Sequence, residues 1–174
     1  MTKVLNFSIL NNMKLLFKKN YLTMIENSAK GENRMFRNFY IVQDNIEKDA
    51  YEDGRWSCSV FVSSILYLQN SMLEFLKKEH WIKFTHANVE STTKDMIANG
   101  WYEIRELNPG AVIVWENKLG NDDNAMHFHN GFCINETEAI SNDSKGSGLP
   151  HRHHIIYNGT RKIEKIYWHP ELND

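Results

Sequence analysis

Two different periods of apolar and polar residues run along this chain, and the change of period divides it. From Leu5 to Lys30 the apolar positions Leu15, Leu16, Tyr21, Leu22 and Ile25 fall on roughly helical spacing, which predicts one or two amphipathic helices packed through that face. A polar stretch follows, KGENRMFRNFYIVQDN, whose apolar patch matches neither period. The run CSVFVSSILYL is apolar on most sides, as a buried helix is, and predicts a helix from Ser57 to about Asn70. VESTTKDMIANG carries helix punctuation at both ends, with Ser91 as the expected N-cap and Gly100 as the glycine that closes the last turn.

Beyond Gly100 the texture changes. GAVIVWE, HNGFCIN, EAISN, HHIIYN and KIEKIYW are short runs rich in β-branched and aromatic residues, separated by Gly, Asn, Asp and Pro. Helices first and strands second favour an α+β fold with an antiparallel sheet over an alternating βαβ fold. Period-two alternation turns His127, His129, Gly131 and Cys133 to one face, and Phe128, Asn130, Phe132 and Ile134 to the other. SNDSKGSGLP reads as a loop, and RKIEKIYWHPEL as a final strand with a solvated outer face, ending at Pro170 and carrying no chemistry.

With 174 residues, 41% of them hydrophobic, the chain is long enough for one domain with a real core. The expectation is a single unit over 1–174, with a helical part over 1–50 and a core over 55–170. A net charge of -2, from 20 basic and 22 acidic residues, gives no single-sign field of the kind that marks a general nucleic-acid binder. No segment has the length of a membrane span. The N-terminus, broken by Asn11, Asn12, Lys14, Lys18 and Lys19, lacks the apolar stretch of a signal peptide, which predicts a cytoplasmic protein or one delivered by another route. No cofactor is expected, and oligomeric state is not written in the sequence.

Cys58 and Cys133 are too few for a disulfide framework. If a helix starts at Ser57, Cys58 stands at its N-terminus, where unpaired N–H groups and the aligned peptide dipoles favour a thiolate; the other reading is a small packed hydrophobe. A thiolate nucleophile needs an imidazole partner, and HFHNGFCIN supplies His127 and His129, of which His129 lies inside the β-rich run. Cys133, mid-strand, reads as core, as do Trp115 and Trp168. Trp56, beside Cys58, and His127 and His153 are candidates for substrate contact. The cluster of His127, His129, His151, His153 and His154 also admits zinc, although no His-Glu-x-x-His motif is present, and LPHRHH reads alternatively as a solvated loop entering a strand.

The ordered set SCSVFVS, ELNPGAVIVWE and HNGFCINETEAIS resembles the NlpC and CHAP families of papain-like cysteine amidohydrolases over Trp56 to Asn142, about half of the chain. The resemblance implies a papain-like fold, with N-terminal helices packed on a small antiparallel sheet, and implies that Cys58 attacks an amide carbonyl while His129 serves as base and then acid. The family's third polar position falls in EAISND: a gapless count gives Ser141, and a one-residue bulge gives Asn142, the preferred assignment with Ser141 close behind. Ser57 stands where many relatives have Asp and is expected to cap the helix. The Cys58 N–H is the expected first donor to the oxyanion. The implied partner is a peptide or bacterial cell-wall peptidoglycan; the alternatives are a zinc-dependent hydrolase on the clustered histidines and a non-enzymatic binding module of the same fold.

Overall fold

The computed structural model describes residues 14–119 and 125–173. The first half of the predicted N-terminal helix, the start of the segment judged against a signal peptide, and most of the polar loop GNDDNAM lie outside the described residues. Helix α1, Phe17–Ser28, turns Phe17, Tyr21 and Ile25 inward at the spacing of one face. Helix α2, Cys58–Phe75, begins at the expected residue but continues past Asn70. Asn70 does not end it because the amide is buried and satisfied there: Nδ2 donates to Ile82 O at 2.7 Å, and Oδ1 accepts the Trp81 N–H at 3.1 Å. Helix α3, Val89–Ala98, is capped by Asn88, whose Oδ1 accepts the Ser91 N–H at 2.8 Å, so Ser91 is a first-turn residue rather than the cap. Gly100 closes this helix at φ +94 as expected.

The fold is α+β. Strands β3 (Tyr102–Ile104), β4 (Val112–Leu119), β5 (Met126–Cys133), β6 (Glu138–Asn142), β7 (Pro150–His154) and β8 (Ile163–Trp168) form an antiparallel sheet in the order β3-β8-β4-β5-β6-β7. A separate hairpin, β1 (Tyr40–Gln43) and β2 (Ile46–Asp49), occupies the stretch whose type the pattern left open, so the part over 1–50 is not wholly helical. Asp44 and Asn45 at its tip both take positive φ, which these side chains tolerate and which a tight hairpin turn demands. HHIIYN is corrected too. The strand is Pro150–His154, so LPHRHH enters the sheet itself, and Tyr157–Gly159 forms a single-turn 3-10 helix.

The alternation along β5 is realised in packing. Phe132 meets Tyr21 of α1 and Phe61 of α2 edge-on, at 6.0 and 5.5 Å between ring centres, while Gly131 on the other side lies opposite Ser141. One buried cluster joins these helices to the sheet through Ile65, Leu66, Met96, Ile113 and Ile140, and it includes Trp115, Trp168 and Cys133. No described helix is long and apolar enough to cross a membrane.

Candidate active site

The approach to α2 is fixed by polar bonds before any apolar packing begins. The Asp49 carboxylate accepts the N–H groups of Phe39, Tyr51 and Asp53 at 2.7, 3.0 and 2.8 Å, which folds residues 49–53 into a tight knot. Gly54 follows at φ +88, so close to the β6–β7 connection that a Cβ there would lie 2.2 Å from Gly148 O. Gly54 O accepts both the Ser57 hydroxyl, at 2.9 Å, and Asn142 Nδ2, at 2.7 Å. Two expectations change here. Ser57 stands at the N-cap position, but its side chain reaches back to Gly54 and caps nothing. Asn142, preferred as the third polar member, spends its amide pinning the loop that delivers Cys58.

Ser141 is the residue that touches the imidazole. Its Oγ lies 2.9 Å from His129 Nε2, 2.8 Å from His153 Nε2 and 2.8 Å from Tyr157 Oη. One hydroxyl offers one proton and two lone pairs, so the three partners can be assigned. His153 Nδ1 lies 2.9 Å from His154 O, a carbonyl that only accepts. Nδ1 therefore carries the His153 proton, Nε2 accepts, and the Ser141 hydroxyl donates to it. The two lone pairs then take the Tyr157 O–H and the His129 Nε2–H. This assignment leaves His129 Nδ1 unprotonated, the tautomer a base needs. Trp115 packs beside the ring, 5.5 Å between centres, and His129 is 6% exposed.

Cys58, His129 and Arg161 line one cleft of about 680 Å³, together with Trp56, His127 and Tyr157. Trp56 and His127, each two residues ahead of Cys58 and His129, are in ring contact at 5.0 Å. His153 is not a wall of this cleft; it sits across the Ser141 hydroxyl from His129, and His151 lines the space instead. Helix position alone does not depress the Cys58 thiol. Burial pushes it above its ordinary value, against hydrogen bonding from the Ser59 hydroxyl, the backbone N–H groups of Asn130 and Ser59, and the charge of Arg161. Burial, reinforced by Arg161, His153 and His151, holds His129 well below the usual histidine value. The resting pair is thus a thiol and a neutral imidazole. Cys133 is buried, with its thiol pushed up to about 12 by burial.

No family model, curated protein or solved structure matches the chain. The site's chemistry therefore rests on its own geometry. Among the described residues no three His, Cys, Asp or Glu side chains are grouped as metal ligands would be; His129 and His153 both direct Nε2 at the Ser141 hydroxyl. Sequence reasoning missed Tyr157 and Arg161, and placed no chemistry in the segment that Arg161 opens. The available signal for Arg161 was an arginine within a few residues of the histidine-rich run, too common a feature to single out.

The buried histidines predict acid lability. Burial lowers His153 from 6.5 to about 4 and holds His129 well below 6.5, so the native state keeps both neutral while the unfolded chain protonates them near 6.5. Their stabilising effect is complete above pH 6.5 and is lost as pH falls from there toward 4, by roughly 2 kcal/mol for His153 after allowance for its partial exposure. Urea unfolding at pH 7.0, 5.5 and 4.5 should show this loss, and His153→Gln should flatten it. Equal pH dependence in the variant would remove His153 from the account.

Proposed function

We propose that the protein is a papain-like cysteine amidohydrolase of the NlpC and CHAP type, acting on peptide bonds of bacterial cell-wall peptidoglycan. The observation that carries the chemistry is the placement of Cys58, at the start of α2, in one cleft with an imidazole whose Nε2 is held by Ser141. The substrate class comes from the resemblance of SCSVFVS, ELNPGAVIVWE and HNGFCINETEAIS, and from no side chain of the cleft.

In the proposed reaction the Cys58 S–H proton passes to His129 Nδ1 as Sγ attacks the amide carbon. The Cys58 backbone N–H, without a hydrogen-bond partner among the described residues, is the first donor to the developing oxyanion. The protonated ring gives its Nδ1 proton to the leaving amine, which departs and leaves a thioester on Cys58. Water then attacks that carbonyl, loses a proton to Nδ1, and the sulfur leaves with it as the thiol. Throughout, Nε2–H stays on Ser141 Oγ, which stabilises the transient positive charge on the ring.

Because burial keeps the sulfur protonated at rest, iodoacetamide should label Cys58 at a rate that climbs steadily from pH 6 to 9, without the acid plateau of a preformed ion pair. Cys58 should still react at least about tenfold faster than Cys133, whose thiol is sealed in the core. Mass-spectrometric mapping of both sites checks this, and equal labelling would overturn the assignment of the nucleophile.

A further inference from the structure

Arg161 lies between the Tyr157–Gly159 turn and β8, and its guanidinium is drawn into the cleft rather than into solvent. Nε and Nη2 donate to Glu116 O at 3.2 and 3.1 Å, and Nη2 also donates to His127 O at 2.8 Å. These carbonyls belong to β4, where its pairing with β5 shifts between Trp115 and Lys118, and to β5 itself, so the plane of the guanidinium is fixed by backbone. Among the described residues no carboxylate pairs with it. The Glu116 carboxylate accepts the Lys162 N–H at 2.9 Å and lies 3.7 Å from Lys118 Nζ, so it reaches Arg161 through its charge and not through a hydrogen bond. Nη1 makes no hydrogen bond to any described residue. A half-buried cation is ordinarily matched by an anion, and a neutral donor would serve the two carbonyls as well. What the charge adds is a positive group, in no ion pair among the described residues, in the space shared with Cys58, His129 and Tyr157.

With Nε and Nη2 spent on backbone carbonyls, the two N–H groups of Nη1 remain to donate charge-assisted hydrogen bonds to a carboxylate oxygen. We infer that Arg161 anchors a carboxylate carried by the substrate beside the scissile amide, so that the enzyme selects peptides bearing a free carboxyl group within about one residue of the bond it breaks. This rests on the cysteine amidohydrolase reading and names the substrate feature that such an enzyme would require.

Two alkylating reagents of nearly the same size test it on the intact protein, since iodoacetate carries the carboxylate and iodoacetamide does not. At pH 7.5 the iodoacetate-to-iodoacetamide rate ratio at Cys58 should exceed that of the urea-unfolded chain by about tenfold or more, the scale of a charge-assisted hydrogen bond. Propionate should protect Cys58 from iodoacetamide. Arg161→Gln should bring the ratio down to the unfolded value, and Arg161→Lys should keep part of it. If Arg161→Gln does not fold, as judged by circular dichroism, propionate protection in the natural chain decides. Cys58 labelled at least about tenfold faster than Cys133 by both reagents, with no preference for iodoacetate beyond that of the unfolded chain and no protection by propionate, would overturn the anchor and leave the nucleophile standing. Cys58 labelled no faster than Cys133 by either reagent would overturn the enzymatic reading and the anchor with it.

Discussion

Cys58→Ser and His129→Ala are each expected to lower the release of new amino groups from purified peptidoglycan by a factor of about 10³ or more, with no further loss when the two are combined. The magnitude follows from what each removes. Serine keeps the shape at the start of α2, but its hydroxyl is far less acidic than a thiol, and the neutral imidazole in this cleft cannot make up the difference. Alanine at 129 removes the proton acceptor on which a resting thiol depends; a cysteine already ionised by its helix would lose less. Non-additivity follows because neither group has anything to do in the reaction without the other. Ser141→Ala is the graded companion. It leaves the imidazole and the thiol in place but takes away the acceptor that fixes the ring tautomer, for an expected loss of about 10-fold to 10²-fold, mostly in kcat. A Cys58→Ser variant retaining a tenth of the natural rate would end the proposal, because no mechanism through the sulfur survives it.

What could be read from the chain, and what could not, separates along one physical line. The start of α2, the glycine at the end of α3 and the last strand were legible because their signals are local: an apolar run after a small polar residue, a residue that accepts positive φ, a β-branched run stopped by proline. The division of β5 into two faces was legible for the same reason, since alternation is a property of the strand alone, whereas the burial of both faces from His129 to Cys133 was not. The third polar member of the site was not. Choosing between Ser141 and Asn142 required knowing which strand carries a bulge, and the irregularities lie in β4, around Trp115, while β5 and β6 pair without a shift. The gapless count therefore placed the right side chain toward His129, and the preference for Asn142 put the slip in the wrong strand. Arg161 escaped for a related reason, since its role exists only once carbonyls from β4 and β5 surround it. The sulfur's protonation was misjudged because a helix terminus can be recognised in a sequence, whereas the burial that outweighs it belongs to the packed molecule.

Gly131→Ala should unfold the protein by roughly 2–4 kcal/mol and lower activity at temperatures where the variant is still folded. The residue sits opposite Ser141 in the β5–β6 register, and a Cβ there would stand 2.5 Å from Ile140 O, 2.7 Å from Ser141 Cβ and 3.1 Å from the Trp115 ring. The backbone at 131 does not take positive φ, so the glycine is required by contact and not by conformation. Two of these three neighbours belong to β6, so a methyl group there forces the pair of strands apart at the point where Ser141 bonds His129 Nε2. Stability and the hydrogen bond that the proposed reaction uses are thus tied to one close approach, which gives the glycine two residues after the histidine a physical reason. A second substitution separates the two effects. Adding Ser141→Gly removes the 2.7 Å contact and should return about 1 kcal/mol of the lost stability, a coupling of the size expected for residues that touch, while activity stays at the level of Ser141→Ala because the hydroxyl has gone. Chemical denaturation of the single and double variants reads the first quantity, and initial rates read the second. Stability changes that simply added, with no interaction between positions 131 and 141, would show that the strain lies elsewhere, against Ile140 O or the Trp115 ring, and that the serine is not held in place by the absence of a side chain across from it.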